Sequence, residues 1–222
     1  MRMIPINGRR ARSDDQKKAR EAAILEAAEA IFVERRVLPP IAEVAARAGL
    51  AKGTVYLYFR GKNELFLALL EQRLHAALDA LQELLAQPAI DAGMLVDGLV
   101  AFFLAHPTTL DLARFSDSHL EHEGDVEAIY GFKRDLATRT LAVGAEVERC
   151  FPALRPGEGA RLVYWTFLFL QGIWQAASPP APVREALARP GLELFRLDFE
   201  REARDGLMAF WRPAADKARQ NS

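Results

Sequence analysis

An all-α fold is what the 222-residue chain predicts, and three observations carry the prediction. Apolar side chains recur at helical spacing in every convincing segment, prolines stand between those segments, and no stretch keeps the two-residue alternation of a strand. The expected organisation is a small three-helix domain over residues 1–63 and a larger helical domain over residues 64–222.

The first helix is expected over about 17–34, where Ile24, Ala28, Ile31 and Phe32 share a face among Glu21, Glu26 and Glu29. "VLPP" ends it, because consecutive prolines cannot occupy a helix interior. Ile41, Val44, Ala45 and Ala48 resume the pattern for two turns, and Gly49 stops it by admitting a left-handed turn. A third short helix follows over 52–58, and "RGKNEL" at 60–65 breaks the chain again. The next helix is long, with Phe66, Leu69, Leu70, Leu74, Ala77, Leu78, Leu81 and Leu85 on one wide face, and it stops at Pro88. Helices are expected at 91–105, 107–117 and 124–151. "RLVYWTFLFLQGIW" (161–174) is apolar on nearly every side, so it must be buried or shared with a partner. A last helix, 191–211, follows the proline-rich "SPPAP" loop.

Charge is unevenly placed. Residues 1–63 hold 13 Lys/Arg against 7 Asp/Glu, the remainder 16 against 23, and the whole chain nets −1. A basic first quarter on an acidic remainder points that quarter at a polyanion. No run approaches 18 apolar residues, so no membrane span is expected, and the basic N-terminus lacks the apolar core of a secretory signal. Cys150 stands alone, which excludes an intrachain disulfide and fits a reducing, cytoplasmic setting.

The informative stretch is "AGLAKGTVYLYF" (48–59). On a helical wheel Val55, Tyr58 and Phe59 gather on one side, facing the first two helices. Gly53, Tyr56 and Leu57 gather on the other, flanked by Lys52 and Thr54. That set suits a DNA major groove: a side-chain-free position for close approach, a cation, a hydroxyl, and rings and methyls for thymine. Arg60 and Lys62, just beyond, could position the helix on phosphates. Spacing alone leaves an ordinary helical corner as the alternative.

The motifs resolve further by likeness. "AILEAAEAIFVER…IAEVAARAGLAKGTVYLYFRGKNELFLALL" resembles the N-terminal signature of the tetracycline-repressor family of transcription regulators, over about residues 22–70. The resemblance implies that Lys52, Gly53, Thr54, Tyr56 and Leu57 approach bases and that Tyr58 and Lys62 hold phosphates. It also implies a double-stranded DNA operator, a homodimer, a helix-turn-helix domain followed by a ligand-binding and dimerisation domain, and repression relieved by a small molecule. Three departures stand out: the segment before helix two is one residue shorter than usual, Pro40 replaces a capping threonine, and Ala51 replaces a capping serine.

Phe102, Phe103, Phe115, Tyr130 and Phe132 lie on helices that line the effector cavity in look-alike proteins, and Trp165 and Phe169 join them as candidates. The effector is expected to be small and apolar, or cationic, because residues 82–130 carry nine acids and Arg114 as their only Lys/Arg. Leu168, Trp174, Leu197, Leu207, Phe210 and Trp211 are expected at the twofold interface, where the apolar helices would pair with their mates. "DSHLEHEGD" (117–125) offers His119 and His122 but reads as an exposed turn, so no metal site and no cofactor are expected. His75 and His106 read as isolated, no catalytic motif is present, and an enzyme is not expected. The competing reading keeps DNA binding and gives the helical body a protein partner instead of an effector.

Overall fold

The computed structural model describes residues 7–115 and 125–216. Among them are ten α-helices and one 3-10 turn, with no strand. α1 (Asn7–Arg35) buries Ile24, Leu25, Ala27, Ala28, Ile31 and Phe32, the face expected from its spacing. It begins at Asn7, ten residues before the expected start at 17, because Arg, Lys, Ala and Gln propagate a helix that has already been nucleated by packing. Arg36, at φ 55°, turns the chain out of it.

α2 (Ile41–Arg47) starts after Pro40, which supplies no side-chain cap. It ends in a Schellman turn: Gly49 sits at φ 68°, its N–H donates to the Ala46 carbonyl, and the Leu50 N–H donates to the Ala45 carbonyl. The turn delivers the chain into α3 (Lys52–Tyr56), which buries Val55 and is followed by buried Phe59. α4 (Lys62–Leu85) is entered through Gly61, where the Glu64 carboxylate accepts from the Arg60 backbone N–H at 2.5 Å.

Two apolar cores lie along α4. Leu65, Phe66, Leu69, Leu70 and Leu74 pack with α1, α2 and α3, while Leu78, Leu81 and Leu85 belong to the second core. That second core is built with α5 (Ala92–Ala105), α7 (Val126–Cys150), α8 (Glu158–Ala177) and α10 (Phe199–Asp216). α6 (Thr108–Phe115) touches both, since Leu110 faces the second core and Leu112 and Ala113 the first. α7 and α8 cross in backbone contact at Gly144 and Gly159, where a Cβ on Gly144 would lie 2.5 Å from the Cα of Ala160.

The C-terminal third departs from the sequence expectation. The proline-rich loop contains α9 (Ala181–Leu187), with Pro180 at its N-cap and Pro182 in the first turn, where no N–H partner is needed. The final helix starts at Phe199 rather than 191. Gly191 adopts φ 85°, the Arg196 guanidinium donates to the carbonyls of Leu187 and Arg189, and Asp198 caps the helix by accepting from the Arg201 N–H. No single helix among the described residues is long and apolar enough to cross a membrane; α5 and α6 pass only as a pair bent by 75°, and both are largely buried.

Candidate nucleic-acid interface and internal cavity

The local fold of residues 41–59 settles which side chains of α3 face outward. Val55 and Phe59 are spent on the first core, and Tyr58 is half-buried against it. Opposite them Leu57 is 81% exposed and Tyr56 45% exposed, with Lys52 and Gly53 exposed and Thr54 intermediate. The Lys52 ammonium lies 5.7 Å from the centroid of the Tyr56 ring, so the cation and the ring form one patch. A Cβ built on Gly53 meets nothing within 4 Å. Nothing inside the protein therefore requires glycine there.

The charges around this face divide into two groups. Arg35 pairs with Glu43, and Arg47 with Glu34, tying α1 to α2. Among the described residues Lys52 and Lys62 are exposed and make no ion pair, leaving them available to an external anion.

A cavity of about 140 Å³ lies between α4, α5, α7 and α8, lined chiefly by Leu70, Leu74, Leu78, Leu81, Leu99, Phe103, Phe132, Leu136, Val163 and Phe167. Of the seven aromatic candidates, Phe103 and Phe132 reach it. Phe102 stacks edge-on against Phe103 and lies over His106. Phe169 packs on Phe210 and over Gly206, while Tyr130 and Trp165 are exposed. Phe115 lines a separate, open cleft of about 650 Å³ between the end of α1 and the α6–α8 side, together with Phe32, Arg36, Asp111 and Trp174. No carboxylate lines the apolar cavity, and Lys133 is its one charged lining residue. The acidic excess of 82–130 is thus not delivered to it. Thr166, also lining, is tied up: its hydroxyl accepts from the Trp211 indole N–H at 3.0 Å.

The six interface candidates separate by burial. Leu207 and Trp211 are fully buried in their own protomer, with Trp211 edge-on to Phe151. They offer no surface to a partner, which corrects the expectation for both: α10 spends its apolar stripe on α5 and α8. Trp174 is partly buried, donating to Asp111 at 2.9 Å and packing edge-on against Phe199, and Leu197 is intermediate. Leu168 and Phe210 remain exposed, and Tyr164 and Trp165 extend their patch along α8, with Arg161 over the Trp165 ring.

The histidines also separate. His119 and His122 lie outside the described residues. His75 is not isolated: on α4 it sits one turn from Glu71 and against Asp135 of α7, with Nε2 2.8 Å from the Asp135 carboxylate. Sequence spacing carried no sign of that cluster, because its third member is on another helix.

An outward recognition helix in a helix-turn-helix, carried by a larger helical body with its own apolar cavity, defines a DNA-binding regulator. Residues 24–69 match the model for bacterial regulatory proteins of the tetR family, and residues 67–214 match the tetracyclin repressor-like C-terminal domain. The chain belongs to the tetracycline-repressor family. No curated protein sequence matches it. Among solved structures it is similar to a transcriptional regulator from Pseudomonas aeruginosa PAO1 (TM-score 0.57, 15% identity, 92% of this chain and 94% of that one). It is also similar to the fatty acid degradation regulator FadR from Bacillus halodurans (TM-score 0.55, 14% identity, 86% and 94%). A TetR-family transcriptional regulator from Mesorhizobium loti MAFF303099 follows, with TM-score 0.51, 20% identity, and 88% and 96% coverage. At these identities the likeness is one of fold.

Proposed function

We propose that this family member is a homodimeric repressor, with residues 1–63 reading DNA and residues 64–222 sensing a ligand and forming the dimer. Two copies present α3 to successive major grooves of a palindromic operator, and an apolar molecule in the helical body releases them. The observation that carries the DNA half is the outward face of α3: Tyr56 and Leu57 stand clear of the core, beside an unpaired Lys52 and a Gly53 with open space before it. Base contact by this face and phosphate contact by Tyr58 and Lys62 would fix the register. Each contact is worth roughly 1–3 kcal/mol, so useful specificity needs both half-sites.

For dimerisation the exposed Tyr164, Trp165, Leu168 and Phe210 are the surface we assign, since three of them follow one another within about a turn of α8 and exposed apolar side chains grouped in this way favour a partner. For sensing, the cavity volume bounds the effector. At about 140 Å³ it has room for a benzene-sized molecule and falls short of the 300–1,000 Å³ that surrounds drug-sized ligands. A small apolar effector follows, and the lining favours it over a cation. The same small volume supports the second reading, in which the body recruits a protein and senses nothing.

Selection of bound duplexes from a randomised pool tests the DNA half. The expected result is a palindrome whose half-sites are related by the helical repeat, and loss of binding for Tyr56→Ala with its melting temperature unchanged. Enrichment of no sequence, or undiminished binding by Tyr56→Ala, refutes it. Operator release by benzene-sized aromatics, compared with larger ones, separates the sensing reading from the recruiting one.

A further inference from the structure

We propose that Glu71, His75 and Asp135 form a binding site for a first-row divalent cation of the zinc type, which ties α4 to α7. The three residues each offer one ligand atom, and those atoms lie within 4.8 Å of one another. Glu71 and His75 are one helical turn apart, so they project from the same side of α4. Asp135 comes from the facing side of α7.

The detail that points to an ion is the geometry at His75. Its Nε2 is shut off from solvent and faces an Asp135 oxygen 2.8 Å away, on the side of α4 that also carries Glu71. Around a tetrahedral ion with zinc-like bonds of 2.0–2.2 Å, ligand atoms stand about 3.4 Å apart, so the His75 and Asp135 atoms part by roughly half an ångström to admit it. A rotation of the Glu71 side chain supplies the rest of the closure.

Zinc binds these groups as two carboxylates and a neutral imidazole, so it competes with protons for all three. Arg139, the nearest positive charge, is already paired with Asp79. One nitrogen and two oxygens form a set suited to zinc, cobalt, nickel or manganese rather than to a thiolate-loving metal, and three protein ligands leave a coordination position open. The neighbours Leu74 and Leu136 line the apolar cavity, so the site sits on the edge of the same α4–α7 seam.

The test is calorimetric titration of the full-length, untagged, EDTA-treated protein with zinc chloride, without DNA, so that its outcome is independent of operator binding. One saturable site per protomer is expected, with the melting temperature raised by roughly 5–10 °C at a hundredfold excess of free zinc over Kd. Glu71→Gln, His75→Ala and Asp135→Asn should each weaken binding at least tenfold, and each variant's fold is checked by its melting curve without metal. Absence of a saturable site overturns the proposal. So does undiminished binding by the His75→Ala, Asp135→Asn double variant, which would assign the ion to other histidines.

Discussion

Gly144→Ala should leave the protein no more stable, or less, while Gly131→Ala, on the same helix, should stabilise it. Both positions lie in the interior of α7, so both substitutions gain the same helix propensity, about 1 kcal/mol. They differ in clearance. A Cβ at Gly131 meets nothing within 4 Å, whereas one at Gly144 lies 2.5 Å from the Cα and 2.7 Å from the Cβ of Ala160. Carbon atoms rest at 3.5–4.0 Å, so α7 and α8 must part by about 1 Å. Because the obstacle is backbone, no side chain can yield in their place. Overpacking of this kind costs roughly 1–3 kcal/mol, which cancels or exceeds the propensity gain. At about 2–4 °C per kcal/mol for a chain of this size, the two variants should melt roughly 2–12 °C apart. α8 offers the matching pair. A Cβ on Gly159 meets the carbonyl of Gly144, with its carbon 3.0 Å away, and Gly172 is open. Thermal unfolding at one fixed protomer concentration reads all four, since dimerisation would make the midpoint concentration-dependent. Gly144→Ala melting with or above Gly131→Ala refutes the reasoning.

The other expectations concern the recognition face and the second core. Gly53→Ala should leave the free protein as stable or up to about 1 kcal/mol more stable, since the new methyl meets nothing, yet weaken operator binding tenfold or more; unchanged affinity in a gel-shift titration would show that no groove wall approaches there. Lys62→Ala should weaken all duplexes evenly and reduce the slope of log affinity against log salt by about one per protomer, measured by fluorescence anisotropy across a salt series. Thr166→Val removes the acceptor of the Trp211 indole N–H in a fully buried site and should cost roughly 1–3 kcal/mol by denaturant unfolding; a neutral result would mean that the indole finds another acceptor.

What could be read from the sequence was local. Gly49 and the alternation of Val55 and Phe59 with Tyr56 and Leu57 fall within one short segment, and helical geometry alone sorts them into inward and outward sets. The start of α1 was not legible, because a polar helix leaves no apolar period to count. The start of α10 departs from its expected place for a different reason: its cap, Asp198, is one acid among many until Arg196 folds the preceding loop back onto α9. Leu207 and Trp211 expose a deeper limit. An amphipathic stripe states that a face must be covered and says nothing of whether the covering chain is the same one. The Glu71–His75–Asp135 cluster belongs with these, since a partner 60 positions away leaves no mark on spacing.

Under the proposed function, α4 is where sensing meets DNA binding. Its 24 residues span about 36 Å, and its first half is packed into the core that holds α3 while its second half belongs to the helical body. Leu70, Leu74, Ala77, Leu78 and Leu81 line the cavity across that changeover, so a molecule there presses on the middle of a rigid rod. A second tie joins the two parts at the other edge. Arg36, just past α1, pairs with buried Asp111, which also accepts from the Trp174 indole. With the end of α1 held to α6 at this point, displacement of α4 at the cavity would turn the recognition helix, and two half-sites about 34–36 Å apart tolerate little of it. The energy must come from unequal affinity: a tenfold loss of operator binding requires the ligand to prefer the released conformation by about 1.4 kcal/mol per operator-bound dimer. A benzene-sized molecule can meet that requirement only if the cavity is larger or better filled in the released state. Cavity volume in the DNA-bound and ligand-bound states is therefore the quantity on which the effector mechanism turns.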